Sequence, residues 1–163
     1  MQNPTSTFKS LSVSDTARLA RCLSSSGVTG AVIFLSGPIG SGKTVFVQGL
    51  ARAMGLSEVP SSASFAIARS YRGAKGRLYH FDLFRLKEEE MRECGYEDAL
   101  SDGEGIIAVE WPEPARRYFP DDRLELEFSL LPGGGRSIEA RACGGSSTEL
   151  LKKAALLWRK KNS

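Results

Sequence analysis

The sequence has one histidine, three cysteines and no long apolar run, and each scarcity removes a class of function. Cys22, Cys94 and Cys143 are odd in number and show no Cys-x-x-Cys spacing, which argues against a disulfide framework or a zinc site, and they read as reduced thiols. Ser-His-Asp or Cys-His catalysis would have to rest on His80 alone, and no nucleophile-elbow motif lies near it. The longest apolar stretch, residues 31–35 with their flanks, falls far short of the ~20 residues a membrane helix needs. The N-terminus has no basic-then-apolar signal pattern, so the chain is expected to be cytoplasmic with no membrane partner. A net charge of +3 is no nucleic-acid signature. The basic residues Lys152, Lys153, Arg159, Lys160 and Lys161 read first as a solvated helix face, with a groove for RNA phosphates as the competing reading. Internal repeats, low-complexity segments and long linkers are absent.

What remains is an ordinary globular composition, 41% hydrophobic and 25% charged over 163 residues, enough for one core and too little for a second full domain. Residues 1–163 are therefore expected to form a single domain. Residues 7–11 suggest a short leading strand, and Ser14 is placed to cap a helix with Ala17, Leu19, Ala20 and Leu23 on its apolar positions. Residues 31–35 are continuous, apolar and β-prone, as in a parallel strand buried on both faces. A helix is expected over residues 42–54. Residues 64–71 and 77–83 read as an antiparallel hairpin around Arg72-Gly73-Ala74-Lys75-Gly76, followed by helix near 87–94. Residues 105–110 form another apolar strand, which Pro112 and Pro114 prevent from extending into a further central ladder. A second hairpin, 124–130 with 137–142, turns at Pro132-Gly133-Gly134-Gly135. Ser146 and Glu149 stand at capping-box spacing before a last helix carrying Leu150, Leu151, Ala154, Leu157 and Trp158 on one side. Because residues 37–44, between the strand at 31–35 and the helix at 42–54, satisfy G-x-x-x-x-G-K-[ST], the predicted fold is α/β, a P-loop NTPase domain with a mostly parallel central sheet, antiparallel hairpins and flanking helices.

Chemistry concentrates in Gly37-Pro38-Ile39-Gly40-Ser41-Gly42-Lys43-Thr44, which satisfies G-x-x-x-x-G-K-[ST] between a buried strand and a helix. Glycines there let successive N-H groups curl toward phosphate oxygens, and the helix adds its positive end. Lys43 is expected to reach the β and γ phosphates of ATP. Thr44 offers a hydroxyl to Mg2+, a hard cation that keeps most of its waters. A glycine-rich turn that merely joins strand to helix would not require Lys followed by Thr. Such a loop needs a carboxylate from a neighbouring strand, and two runs end in one: Leu78-Tyr79-His80-Phe81-Asp82 and Ile106-Ile107-Ala108-Val109-Glu110, the latter resembling a Walker-B strand. Either acid alone competes with a plain surface carboxylate. Trp111 follows Glu110, and shielding of the phosphates, partner contact and core packing all stay open for it. His80 reads as a structural histidine or as one that orients Asp82 or a nearby loop.

Taken together, these residues resemble the bacterial TsaE (YjeE) ATPases of tRNA threonylcarbamoyladenosine biosynthesis over nearly the whole chain. The resemblance rests on the Walker A after an early strand, on residues 62–68 against the family's S-P-T-Y-T-L-V, on His80-Phe81-Asp82-Leu83-Phe84-Arg85-Leu86, on Val109-Glu110-Trp111-Pro112 and on Gly135-Arg136 in a late hairpin. It implies that Thr44 and Glu110 hold magnesium, that Asp82 is an essential acid of hydrolysis, and that Ser64 takes the place of a switch-loop threonine. It also implies that Arg136 contacts the nucleotide, and Trp111, whose role stays open, is grouped with it among the cofactor-binding candidates. Here Ser62-Ala63-Ser64-Phe65-Ala66-Ile67 replaces S-P-T-Y-T-L, losing a proline and two hydroxyl-bearing side chains, so nucleotide-driven ordering of that loop is expected to be weaker.

The resemblance further implies an ATPase of weak intrinsic activity whose turnover supports the TsaD and TsaB proteins, with tRNA met through that complex. The chain itself shows no nucleophile for carbamoyl chemistry. A small-molecule kinase using the same loop is the alternative, disfavoured by arginines that are dispersed apart from Arg116-Arg117 and so supply no lid. An ATP-binding regulatory module without useful hydrolysis is another. Absence of N-K-x-D favours ATP over GTP.

Overall fold

A seven-stranded mixed sheet organises the chain, in the order β1-β7-β6-β2-β5-β4-β3. The computed structural model describes residues 2–61 and 67–160. In chain order the elements are β1 (Thr5–Ser10), α1 (Val13–Ser24), β2 (Val32–Ser36), α2 (Lys43–Ala53), β3 (Ala68–Gly73), β4 (Gly76–Asp82), α3 (Tyr96–Asp102), β5 (Ile106–Glu110), β6 (Leu124–Leu130), β7 (Arg136–Ala142) and α4 (Gly145–Lys160). β2 pairs in parallel with both β5 and β6, and β4 pairs in parallel with β5. The centre is therefore parallel, as expected, and antiparallel partners flank it: β7 and β1 on one side, β3 on the other.

Why β2 sits at the centre follows from its side chains, since successive residues of a strand point to opposite faces. Ile33 and Leu35 enter one apolar cluster with Leu19, Phe46, Leu50 and Leu150 from α1, α2 and α4. Val32 and Phe34 enter a second with Phe81, Met91, Val109 and Phe119. Phe119 meets the rings of Phe34 and Phe81 edge-on, each at 5.8 Å between centroids. β7 instead alternates buried and exposed residues from Ile138 on, and β6 does so over residues 126–129, so one face of that hairpin carries polar side chains outward. α1 and α2 approach closely because residue 49 is glycine: a Cβ there would come within 2.9 Å of the Ala17 Cα.

Both helix starts differ from the sequence expectation. α1 is capped by Ser12, whose hydroxyl accepts from the Asp15 N-H at 3.1 Å, while Ser14 lies inside the helix. The reason is reciprocity, for Asp15 in turn accepts from the Leu11 N-H at 3.0 Å. At α4 the Ser146 and Glu149 box does not form. The Asp122 carboxylate accepts from the Ser146 and Ser147 N-H groups at 2.8 and 2.9 Å, and Glu149 pairs with Lys153. The segment expected as helix near 87–94 is a 3-10 helix over Glu88–Glu93. The first hairpin turns at Ala74-Lys75, with Gly73 opposite Gly76, and its strand β3 begins at Ala68; the expected start at Ser64 lies outside the described residues. No disulfide joins the three cysteines. Among the described residues no helix is long and apolar enough to cross a membrane.

Candidate functional site

β2, β5 and β4 run parallel, so their carboxyl ends share one edge of the sheet, the edge where ligands of α/β proteins gather. β2 ends there in the glycine-rich loop. Gly37, Gly40 and Gly42 have φ of 133°, 77° and 104°, which only glycine adopts without strain. A Cβ on Gly37 would collide with the Phe128 carbonyl, and one on Gly42 would stand 2.9 Å from Arg136 Nε. α2 starts at Lys43 with no side-chain cap and no acid in its first turn. Its leading N-H groups are thus left for an anion.

Lys43 is 5% exposed and its Nζ donates to the carbonyls of Gly37 and Pro38 at 2.6 and 2.9 Å. The ammonium also stands 4.1 Å from the centre of the Trp111 ring. Burial pushes its pKa below the usual lysine range, and the carboxylates of Glu110 and Asp82 pull the other way. One residue on, Thr44 Oγ1 donates to Glu110 Oε1 at 3.0 Å. Glu110 is 2% exposed, and its second oxygen, Oε2, lies 2.7 Å from His80 Nε2.

Asp82 ends β4 directly across from Glu110 in the parallel register and accepts from the Phe84 N-H at 3.2 Å. Burial first, and the Glu110 charge after it, hold its carboxyl above the ordinary range. Trp111 has φ of 57°, the sole non-glycine residue in the left-handed region among the described residues. Its ring packs on Phe84 with 4.8 Å between centroids. Arg136, at the start of β7, donates from Nε to the Ser41 carbonyl at 2.7 Å.

These groups line a cleft of 420 Å³, bounded by Lys43, Thr44, Asp82, Glu110, Trp111 and Arg136, with Ile39 exposed at its rim. Another hollow, of 260 Å³ between Leu100, Ile107 and Leu150, lies among the opposite ends of β2 and β5. Its polar groups are committed elsewhere, Asp122 to α4 and Arg123 to Glu125.

The fold thus gathers Gly37, Pro38, Gly40, Ser41, Gly42, Lys43 and Thr44 with Asp82, Glu110, Trp111 and Arg136, while Ser64 lies outside the described residues. His80 is buried and bonded, as a structural histidine would be, and its bond goes to Glu110 rather than to Asp82. The alternation of β4, which sets His80 and Asp82 on one face, was the available signal. Phe84 carried none. The donor set fits the groups such a loop holds: main-chain N-H and one ammonium for polyphosphate, a hydroxyl and a carboxylate for a hard divalent cation.

A mixed sheet with a parallel centre, whose strand β2 enters G-x-x-x-x-G-K-T and whose adjoining strand β5 supplies an acid bonded to that threonine, defines a P-loop NTPase fold. Within that class, the family described as "Threonylcarbamoyl adenosine biosynthesis protein TsaE" matches residues 10–138, and the chain belongs to it. Proteins named tRNA threonylcarbamoyladenosine biosynthesis protein TsaE are similar to it in several bacteria. The one from Borreliella burgdorferi is 40% identical over 112 residues, 68% of this chain and 80% of the relative. The Aquifex aeolicus protein is 36% identical over 126 residues, 76% of this chain and 86% of the relative. The crystal structure of Bacillus subtilis YdiB superposes with a TM-score of 0.81 at 24% identity, covering 99% of each chain, a likeness of fold.

Proposed function

We propose that this chain binds ATP with Mg2+ in the cleft and hydrolyses it, and that this cycle supports threonylcarbamoyladenosine formation at position 37 of tRNA through nucleotide-dependent contact with TsaD and TsaB. Family membership and the relatives' names support the pathway. The observation that carries the nucleotide chemistry is the 3.0 Å bond between Thr44 and Glu110, which joins the end of the phosphate loop to an acid on another strand.

In this reading the amides of residues 37–42 and the Lys43 ammonium take the β and γ phosphates. Lys43 then exchanges the Gly37 and Pro38 carbonyls for phosphate oxygens. Thr44 and Glu110 hold magnesium, which when bound offsets charge on the β and γ oxygens. Asp82 orients the attacking water; the water oxygen bonds to the γ phosphorus, the bond to the bridging oxygen breaks, and ADP leaves. A carboxyl kept above its usual range is suited to receive the water's proton. Trp111 and Arg136 flank the phosphates. Ordering and release of a loop by the γ phosphate gives the cycle its use as a signal to partners.

Titration calorimetry and phosphate release test the reading. Lys43→Ala is expected to abolish ATP binding. Glu110→Ala should still bind nucleotide and lose about 100-fold or more of magnesium-dependent hydrolysis, the scale on which a catalytic group acts; an unchanged rate would refute the role of that acid. Hydrolysis by the chain mixed with TsaD and TsaB should exceed that of the chain alone, and neither stimulation nor co-purification would overturn the partner assignment.

A further inference from the structure

We infer that His80 is a positioning residue for Glu110, holding one carboxylate oxygen fixed while the other exchanges its partner on magnesium binding. The inference rests on the magnesium-nucleotide reading of the cleft. Glu110 has two oxygens and two donors: Oε1 takes the Thr44 hydroxyl at 3.0 Å, and Oε2 takes His80 Nε2 at 2.7 Å. Glu110 and His80 are both buried, with side chains 3% and 4% exposed. A buried carboxylate oxygen stripped of its donor is left unpaired at a cost, so both bonds are needed for one carboxylate orientation.

The two donors are not equivalent. Thr44 lines the cleft and its hydroxyl is the group that turns to a magnesium ion, whereas His80 is not among the residues that line it. On loading, Oε1 loses Thr44 and gains the ion or its water, and Oε2 keeps the imidazole. His80 therefore acts as the fixed point about which the exchange happens. The strand register allows the reach. His80 stands opposite Ala108 on β5, two residues before Glu110 on the same face, and the small Ala108 side chain leaves the diagonal path to Glu110 open. Asp82 shares this face of β4, and Arg69 is the cross-strand neighbour of His80 on β3.

Partners that orient a metal ligand typically govern metal affinity by about 10- to 100-fold. The test is calorimetric titration of ATP into the full chain in excess Mg2+ and again in EDTA, which separates the magnesium-dependent gain in affinity from binding by the phosphate loop. Two polar replacements discriminate position: His80→Gln puts a donor where Nε2 stood, and His80→Asn puts it where Nδ1 stood. His80→Asn and His80→Phe are expected to lose about 10-fold or more of the magnesium gain, with affinity in EDTA near that of wild type. His80→Gln should keep most of the gain. Equal gains in the Asn and Gln variants, with melting temperatures near wild type, would overturn the inference, as would a full gain in His80→Asn. Should the Phe variant not fold, the Asn and Gln pair decides alone. A wild-type chain with no magnesium gain overturns the underlying reading as well, which separates the two failures.

Discussion

Gly42 shows how much of the site depends on a side chain that is missing. Its φ of 104° suits no L-residue, and the space a Cβ would fill already holds the Arg136 side chain, with Nε at 2.9 Å and Cδ at 3.3 Å. Gly42→Ala thus meets two penalties, backbone strain of about 1–3 kcal/mol and displacement of the arginine that bonds the Ser41 carbonyl. Gly134, with φ of 94° and nothing within 4 Å, meets only the first. Both alanine variants should therefore melt lower, and only Gly42→Ala should also lose ATP affinity; thermal melts with calorimetry check this, and equal affinities would separate Arg136 from the phosphate loop. At this scale the sequence was legible where partners lie close together in the chain. Lys43 and Thr44 follow the glycines that shape their loop, so spacing alone located them. His80 and Glu110 lie on different strands 30 residues apart. Alternation told which face His80 occupies, but choosing between Asp82 and Glu110 required the register of β4 on β5.

Elements were read by their apolar period, and their ends depended on contacts that the period does not contain. The strand expected at 105–110 is β5, and the helix expected at 42–54 is α2, because a continuous apolar run and a glycine-rich entry are local signals. α4 starts at Gly145, one residue from the expected Ser146, but its capping group is Asp122, 24 residues before the Ser146 N-H it accepts from, which local spacing does not contain. β6 carries a similar long-range device in Glu125, a nearly buried carboxylate on the polar side of the strand. Burial alone would raise its pKa. Hydrogen bonds from Arg141 and Arg123, with the charge of Arg116, overcome that and hold it below the usual glutamate range. A carboxyl that titrates lower in the folded state contributes stability at pH above its unfolded value and loses it as pH falls through the folded one. Glu125→Gln removes this contribution. It should cost about 1.5–3 kcal/mol near pH 7, the scale of hydrogen bonds to a charged group. Its melting temperature should then fall less steeply than that of wild type below the glutamate range. Parallel acid profiles for the two proteins would show that the arginine cluster lends no pH-dependent stability.

Across the molecule, one sheet edge collects groups that the chain holds far apart. Lys43 and Thr44 open α2, Asp82 ends β4, Glu110 ends β5 and Arg136 begins β7. Apart from the neighbours Lys43 and Thr44, these groups are separated along an unfolded chain, so a ligand that needs them together binds the folded state alone and draws the folding equilibrium toward it. The basic residues of α4 point elsewhere: Lys152, Lys153, Arg159 and Lys160 are exposed, as a solvated helix face requires, and no carboxylate of the cleft is offset by them. In the proposed nucleotide complex, Lys43, Arg136 and the main-chain N-H groups of the cleft are the groups that would meet the phosphates' charge. A ligand at about 100 times its dissociation constant stabilises by about 2.7 kcal/mol. For a chain of this length that corresponds to a rise of roughly 5–11 °C in melting temperature. ATP with Mg2+ should produce a rise of that size, ATP in EDTA a smaller one, and Lys43→Ala none. A shift of equal size in Lys43→Ala would place the nucleotide away from the loop. No shift in wild type at concentrations where calorimetry reports saturation would mean that binding does not draw the separate elements of the cleft together.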